Sequence, residues 1–163
     1  MLSECARATT AEESRFRVDY PNSASRRIKV IALDKPAERV VRRLASGDWN
    51  SATFMTAVKG SASTSVDWLS DLAGEALSLI DQMSAADHVA TVSTAGESAE
   101  EAAIIAEVCN ARCIMLTALV IDPASLPDAQ LMRTMTPLRA HASMLVVAKG
   151  EEYVEAMLTA LRA

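Results

Sequence analysis

Residues 27–45, RIKVIALDKPAERVVRRLA, join two patterns that together imply a layered architecture. Arg27 to Leu33 is a β-branched, aliphatic run of the kind found in strands covered on both faces. Asp34-Lys35-Pro36 stops it. Asp34 is a natural helix N-cap, and Pro36 suits a first helical turn, where a missing N–H removes no helical bond. Ala37 to Ala45 then continues with helical spacing, and Arg39, Arg42 and Arg43 read as its solvated face rather than as a binding patch.

The same alternation recurs downstream. Ser51 to Val58 reads as a second strand, followed by a polar loop from Lys59 to Ser65. Val66 to Met83 predicts a helix, with Leu69, Leu72, Ala73, Ala76, Leu77, Ile80 and Met83 at helical intervals, although this segment has room for a short additional edge strand. Asp87 to Thr94 predicts a third strand, Ala99 to Asn110 a helix, and Cys113 to Ile121 a fourth strand. A helix from Pro127 to Ala142, kinked or broken at Pro137, precedes a fifth strand from Ser143 to Ala148 and a closing helix from Glu151 to Arg162. Strands that alternate with helices need crossover connections, hence a parallel sheet with helices on both faces. The expected fold is α/β, a three-layer Rossmann-like domain over residues 27–163 with a mostly parallel sheet of five or six strands. Residues 1–26, poor in large apolar side chains, read as a loosely ordered arm.

At 163 residues the chain has the length of one domain, and its 4% aromatic content implies a core of aliphatic side chains and methionine. A net charge of −5 argues against a general electrostatic grip on nucleic acid or anionic lipid. Cys5, Cys109 and Cys113 form no paired framework and no C-x-x-C spacing, so a reducing compartment and two buried thiols at 109 and 113 are expected. His88 and His141 have no companion ligand motif and read as structural. No run approaches the roughly 20 apolar residues of a membrane span, and no signal-like apolar core opens the chain, which makes the cytoplasm the expected location.

Taken in order, several landmarks resemble the nucleotide-binding half of the tubulin/FtsZ-like GTPase family. They are Ile28-Lys-Val-Ile31 with Arg39-Val-Val-Arg-Arg-Leu44 and Ser46-Gly47, then Ala86-Asp-His-Val89 leading to Thr94-Ala-Gly96, then Ile105-Ala-Glu107 and Leu116-Thr-Ala-Leu-Val120. Leu138 to Ala142 before Leu145-Val-Val147 extends the likeness, which covers about Arg27 to Glu155. A weaker resemblance, on Val92 to Ser98 alone, is to the phosphosugar-isomerase (SIS) domain. The tubulin/FtsZ likeness implies a GTP site at two glycine-rich loops, and acidic residues from a second domain that complete the neighbouring subunit's site. The chain ends where that domain would begin, so the resemblance implies no hydrolysis by polymerisation.

The phosphate loops depart from that pattern. Ala32-Leu-Asp-Lys-Pro-Ala37 holds no glycine, yet backbone N–H groups must approach phosphate closely at a helix N-terminus. Gly96-Glu-Ser-Ala-Glu-Glu101 contains an S-x-x-E capping box from Ser98 to Glu101, and Glu97, Glu100 and Glu101 occupy the electrostatic niche of a triphosphate. GTP is therefore disfavoured, and the cofactor remains unassigned.

Two functional readings follow. One is a non-hydrolytic interaction or assembly module that meets a protein partner or copies of itself, with Leu131, Met132 and Met135 as candidate contacts. The alternative is binding of a small anionic ligand, such as a nucleotide or sugar phosphate, at the carboxyl edge of the sheet. Its candidate residues are Asp34, Lys59, Gly60, Ser61, Ser93, Thr94, Gly96, Glu97 and Ser98, with Ser63, Thr64, Asp122 and Lys149 nearby. Catalysis is disfavoured, because a His88 paired with Ser93 would lie on the opposite face of a strand. No metal-ligand spacing is apparent.

Overall fold

Strand β1 (Ile28–Ala32) is buried along its whole length, as a strand with neighbours on both edges and helices on both faces must be. The structure is a computed structural model that describes residues 25–57, 69–122, 126–161 and 163. β1 is flanked by β2 (Ala52–Ala57) and β5 (His88–Thr94), both parallel to it. β6 (Met115–Ile121) and β7 (Met144–Ala148) extend the parallel sheet beyond β5. Beyond β2 the sheet ends in an antiparallel hairpin, β3 (Leu69–Asp71) and β4 (Ala76–Leu77). The spatial order is β4-β3-β2-β1-β5-β6-β7.

Helices α1 (Lys35–Leu44) and α5 (Glu151–Leu161) cover one face of this sheet, over Val30, Ala32, Val92 and Leu119. The other face is covered by α2 (Leu79–Ser84), α3 (Glu101–Ala111) and α4 (Asp128–His141), over Ile31, Leu33, Val89 and Val120. The result is the three-layer Rossmann-like α/β fold, with seven strands rather than five or six. The crossovers leave β1 and β5 toward opposite faces, so the winding reverses between those two strands. In doubly wound sheets that reversal opens a crevice at the carboxyl ends.

The first βα unit forms as its sequence dictates. Asp34 is extended and its Oδ1 accepts the N–H of Ala37 at 2.8 Å, which caps α1. Arg39, Arg42 and Arg43 are exposed; Arg42 pairs with Glu38 one turn earlier and Arg43 with Glu151 on α5.

Local expectations are revised at three places. The described part of Val66–Met83 is not one helix, because Asp71 and Gly74 form a turn between β3 and β4. Asp71 Oδ1 accepts the N–H groups of Ala73 and Glu75 at 2.9 and 2.8 Å, and Gly74 sits at φ +94°, a conformation open chiefly to glycine. The helix begins only after Ser78, whose Oγ accepts the N–H of Asp81. Pro137 does not break α4, which runs continuously from Asp128 to His141. Finally, Cys113 neither opens a strand nor is buried.

Cys113 is exposed and closes α3 at φ +56°. The Ile114 N–H reaches the Cys109 carbonyl and the Cys113 N–H reaches the Asn110 carbonyl, the paired bonds of a Schellman cap. That position favours glycine, since a Cβ there costs about 1–2 kcal/mol. Cys113→Gly is expected to stabilise the fold by about 1 kcal/mol, less than the full steric cost because glycine also gains entropy when unfolded. A thermal melt should show a rise of roughly 2–4 °C. Cys109, by contrast, is fully buried, and burial pushes its thiol up to about 11.

His88 is 2% exposed, and its Nε2 lies 2.9 Å from Thr117 Oγ1. Burial, aided by the nearby charge of Arg26, lowers its pKa below the ordinary value of 6.5. The unfolded chain therefore takes up a proton before the folded chain does. Stability contributed by neutral His88 is complete above pH 6.5 and is lost as pH falls below it, by at most about 1.4 kcal/mol per pH unit. Denaturant melts between pH 7 and 5 should show this slope, and His88→Asn should flatten it whatever its effect on stability at pH 7.

Candidate functional site

The crevice at the β1/β5 reversal is the place where this fold ordinarily holds a ligand. Here its two loops are fastened to each other. Asp34, at the carboxyl end of β1, is 4% exposed and accepts three hydrogen bonds. Besides capping Ala37, its Oδ2 takes the Thr94 N–H at 2.7 Å and its Oδ1 the Thr94 hydroxyl at 2.9 Å. The helix cap thus doubles as a clasp across the crevice.

The turn that follows β5 is equally occupied. Gly96, at φ +89°, donates its N–H to Thr134 Oγ1 at 2.9 Å. The Thr134 hydroxyl in turn donates to the Glu97 carbonyl at 2.7 Å. Thr134 lies fully buried on α4 and so stitches that helix to the turn. The Ala95 N–H goes to the Ile121 carbonyl and the Glu97 N–H to the Thr94 carbonyl. Four successive backbone donors, from Thr94 to Glu97, are therefore engaged within the chain. A Cβ on Gly96 would sit 3.3 Å from Leu126 Cδ1, so that side chain covers the turn from outside. Asp122 holds the covering segment, its Oδ1 accepting the Leu126 N–H at 2.9 Å.

The expected S-x-x-E capping box is absent. Helix α3 begins at Glu101 after an N-cap at Glu100 that makes no side-chain cap bond. The entry instead winds tightly, with Ala102 and Ala103 donating to the carbonyls of Ala99 and Glu100. These i→i−3 bonds place the helix start two residues later than the box requires. The acidic character persists without it, since Glu97 and Glu100 are exposed beside this terminus.

Of the residues expected at the carboxyl edge, Asp34, Thr94 and Gly96 come together, and Glu97 and Ser98 lie exposed beside them. Ser93 does not reach the edge: it is 1% exposed on the strand face under α3, and its hydroxyl has no partner among the described residues. His88 points to the opposite face, which separates it from Ser93. Asp122 serves the Leu126 segment, and Lys149 is exposed after β7. Lys59, Gly60, Ser61, Ser63 and Thr64 lie outside the described residues. Among the expected contact residues, Met132 is exposed, whereas Met135 is buried and Leu131 packs against the core. Thr134 carried no sequence signal.

Beside the clasp, between α1 and the β3/β4 hairpin, lies a cleft of about 380 Å³ lined by Asp34, Lys35, Glu38, Arg42, Thr56 and Ser70. Much of its polarity is internally paired. The Thr56 and Ser70 hydroxyls are 2.8 Å apart, and Arg42 binds Glu38 and the Leu72 carbonyl. Among the described residues, no group of three His, Cys, Asp or Glu side chains is arranged to hold a metal ion, and no helix is long and apolar enough to cross a membrane. No protein-family model matches the chain, and no curated protein matches it.

Proposed function

We propose that this chain is a non-hydrolytic, tubulin/FtsZ-like Rossmann module that works by associating with protein. The observation that carries the reading is the occupied crevice. A phosphate bound after β5 would need the N–H groups of Thr94 to Gly96, and these already belong to Asp34, Ile121 and Thr134. Freeing two of these partly buried donors would cost about 2 kcal/mol or more before any ligand contact was made. The carboxylates of Glu97 and Glu100 would add repulsion. Recognition is then left to the outer surface, where large apolar side chains stand exposed on the β7 side of the sheet.

The test is thermal melting of the purified chain with millimolar GTP and magnesium. A ligand at 100 times its Kd would add about 2.7 kcal/mol to stability. The expected shift is below 1 °C, and a rise of several degrees overturns the reading.

The 380 Å³ cleft favours a second reading, in which a small anion is held by Lys35 and Arg42 with the Thr56 and Ser70 hydroxyls. Titration with inorganic phosphate decides it: saturable stabilisation abolished by Arg42→Ala supports this reading, and none dismisses it.

A further inference from the structure

We infer that the outer edge of β7 is a self-association surface, on which a second copy of this chain pairs antiparallel about a twofold axis perpendicular to the sheet. The inference rests on the association reading above and names its partner and its place.

The two ends of the sheet differ. One closes with a two-residue strand, β4, beside a turn carrying Asp71 and Glu75. Short strands and flanking charges are how an edge is kept from pairing with another chain. The other end is β7, Met144-Leu-Val-Val-Ala148, which has neither charge nor proline, and no described residue pairs with its outer side. Six large hydrophobic residues are exposed among the described residues, and four of them, Met132, Met144, Val147 and Tyr153, lie on β7 or its two flanking helices. Met144 and Val147 are 37% and 39% exposed on opposite faces of the strand.

Helical spacing places the other two. Thr134 of α4 reaches the Gly96 turn, and Arg133 and Pro137 line a cleft with Ser98 and Glu100, so that flank of α4 faces α3. Asp128, Met132 and Arg139 fall at spacings of four and seven on the opposite flank, which overhangs β7. On α5, Glu151 and Glu155 face the groove beside α1, leaving Tyr153 on the flank toward β7. A matching partner must therefore present an apolar strand with apolar side chains above and below it. This chain's own edge has that form.

Charge selects the arrangement. A twofold axis perpendicular to the sheet makes the paired strands antiparallel and sets α4 beside its symmetry mate, also antiparallel. The first turn of one α4 then lies next to the last turn of the other, which brings Asp128 of each copy toward Arg139 of its mate, while Met132 lies between. Parallel pairing would need an axis along the strands, which turns the mate over and sets α4 beside the mate's α5, so that Asp128 would lose Arg139 as its partner.

The experiment is sedimentation velocity of the full chain from 1 to 100 μM, with circular dichroism to confirm the fold of each variant. The wild type is expected to form a dimer. Asp128→Arg and Arg139→Asp should each weaken it at least tenfold, and the double variant should recover it, which only a symmetric pairing of these positions can do. Val147→Lys, a charge placed on the edge, should leave a folded monomer. A wild type that stays monomeric to 100 μM overturns the inference, as does a dimer indifferent to all four variants or one not rescued by the double exchange. Stabilisation by GTP with magnesium would instead strike at the association reading itself, so the two failures are distinct.

Discussion

Asp34→Ala is expected to lower stability by about 4 kcal/mol, a larger loss than a helix cap alone explains. The cap contributes about 1 kcal/mol. The remainder comes from Thr94, whose N–H and hydroxyl both donate to the same carboxylate across the crevice. Bonds to a charged acceptor are worth about 1.5–3 kcal/mol each, and removing the acceptor strands donors that are shielded from water. For a chain of this length the melting temperature should fall by roughly 10 °C. Asp34→Asn separates the two roles. It keeps one oxygen for capping but turns an amide N–H₂ toward a donor, so its loss should lie between wild type and alanine. A loss near 1 kcal/mol for the alanine variant would mean that Asp34 is only a cap and that the crevice is not held shut by it. Equilibrium denaturation of the three proteins decides the matter.

The double role of Asp34 also shows what the sequence could disclose. Its capping function was legible because strand, acid, proline and helix are adjacent along the chain, and each signal is local. Its bond to Thr94 was not, since it depends on β1 and β5 lying side by side, 60 residues apart. The parallel core, the candidate position at Thr94 to Gly96 and the emptiness of the glycine pattern were all readable for the same local reasons. The hairpin of β3 and β4 was legible only as room for one short edge strand, because apolar residues from Leu69 to Met83 fit a helical period, although Gly74 and Ser78 marked a turn and a second helix start. Periodicity over a short segment cannot separate these cases when tertiary pairing with β2 supplies the deciding energy. The Ser98–Glu101 box failed in the opposite way. The motif is present, but the entry to α3 tightens and shifts the helix start past it. The sequence reads as lost phosphate loops at these two segments; in the structure they are joined by other side chains, Asp34 to Thr94 and Thr134 to the Gly96 turn.

Thr134 is the clearest of these, and Thr134→Val is the second large effect expected. The substitution conserves shape and removes only the hydroxyl. It leaves the Gly96 N–H and the Glu97 carbonyl without the partner that joins them to α4. Leaving buried polar groups unsatisfied costs about 1–3 kcal/mol apiece, and because the turn can relax partly toward solvent, a total of about 2–3 kcal/mol is expected. Thr134→Ser keeps the hydroxyl and should remain within about 1 kcal/mol of wild type. Amide exchange gives the local readout. If the hydroxyl holds the turn to α4, exchange at Gly96 should accelerate by roughly 30- to 100-fold in the valine variant, since each 1.4 kcal/mol is a factor of ten. Ala90, in the middle of β5, exchanges through openings of the sheet itself, and its rate should follow only the global loss measured by denaturation. Equal acceleration at both positions would make Thr134 a packing residue of the whole core. Selective release of Gly96 would identify it as the latch that holds the turn after β5 to α4.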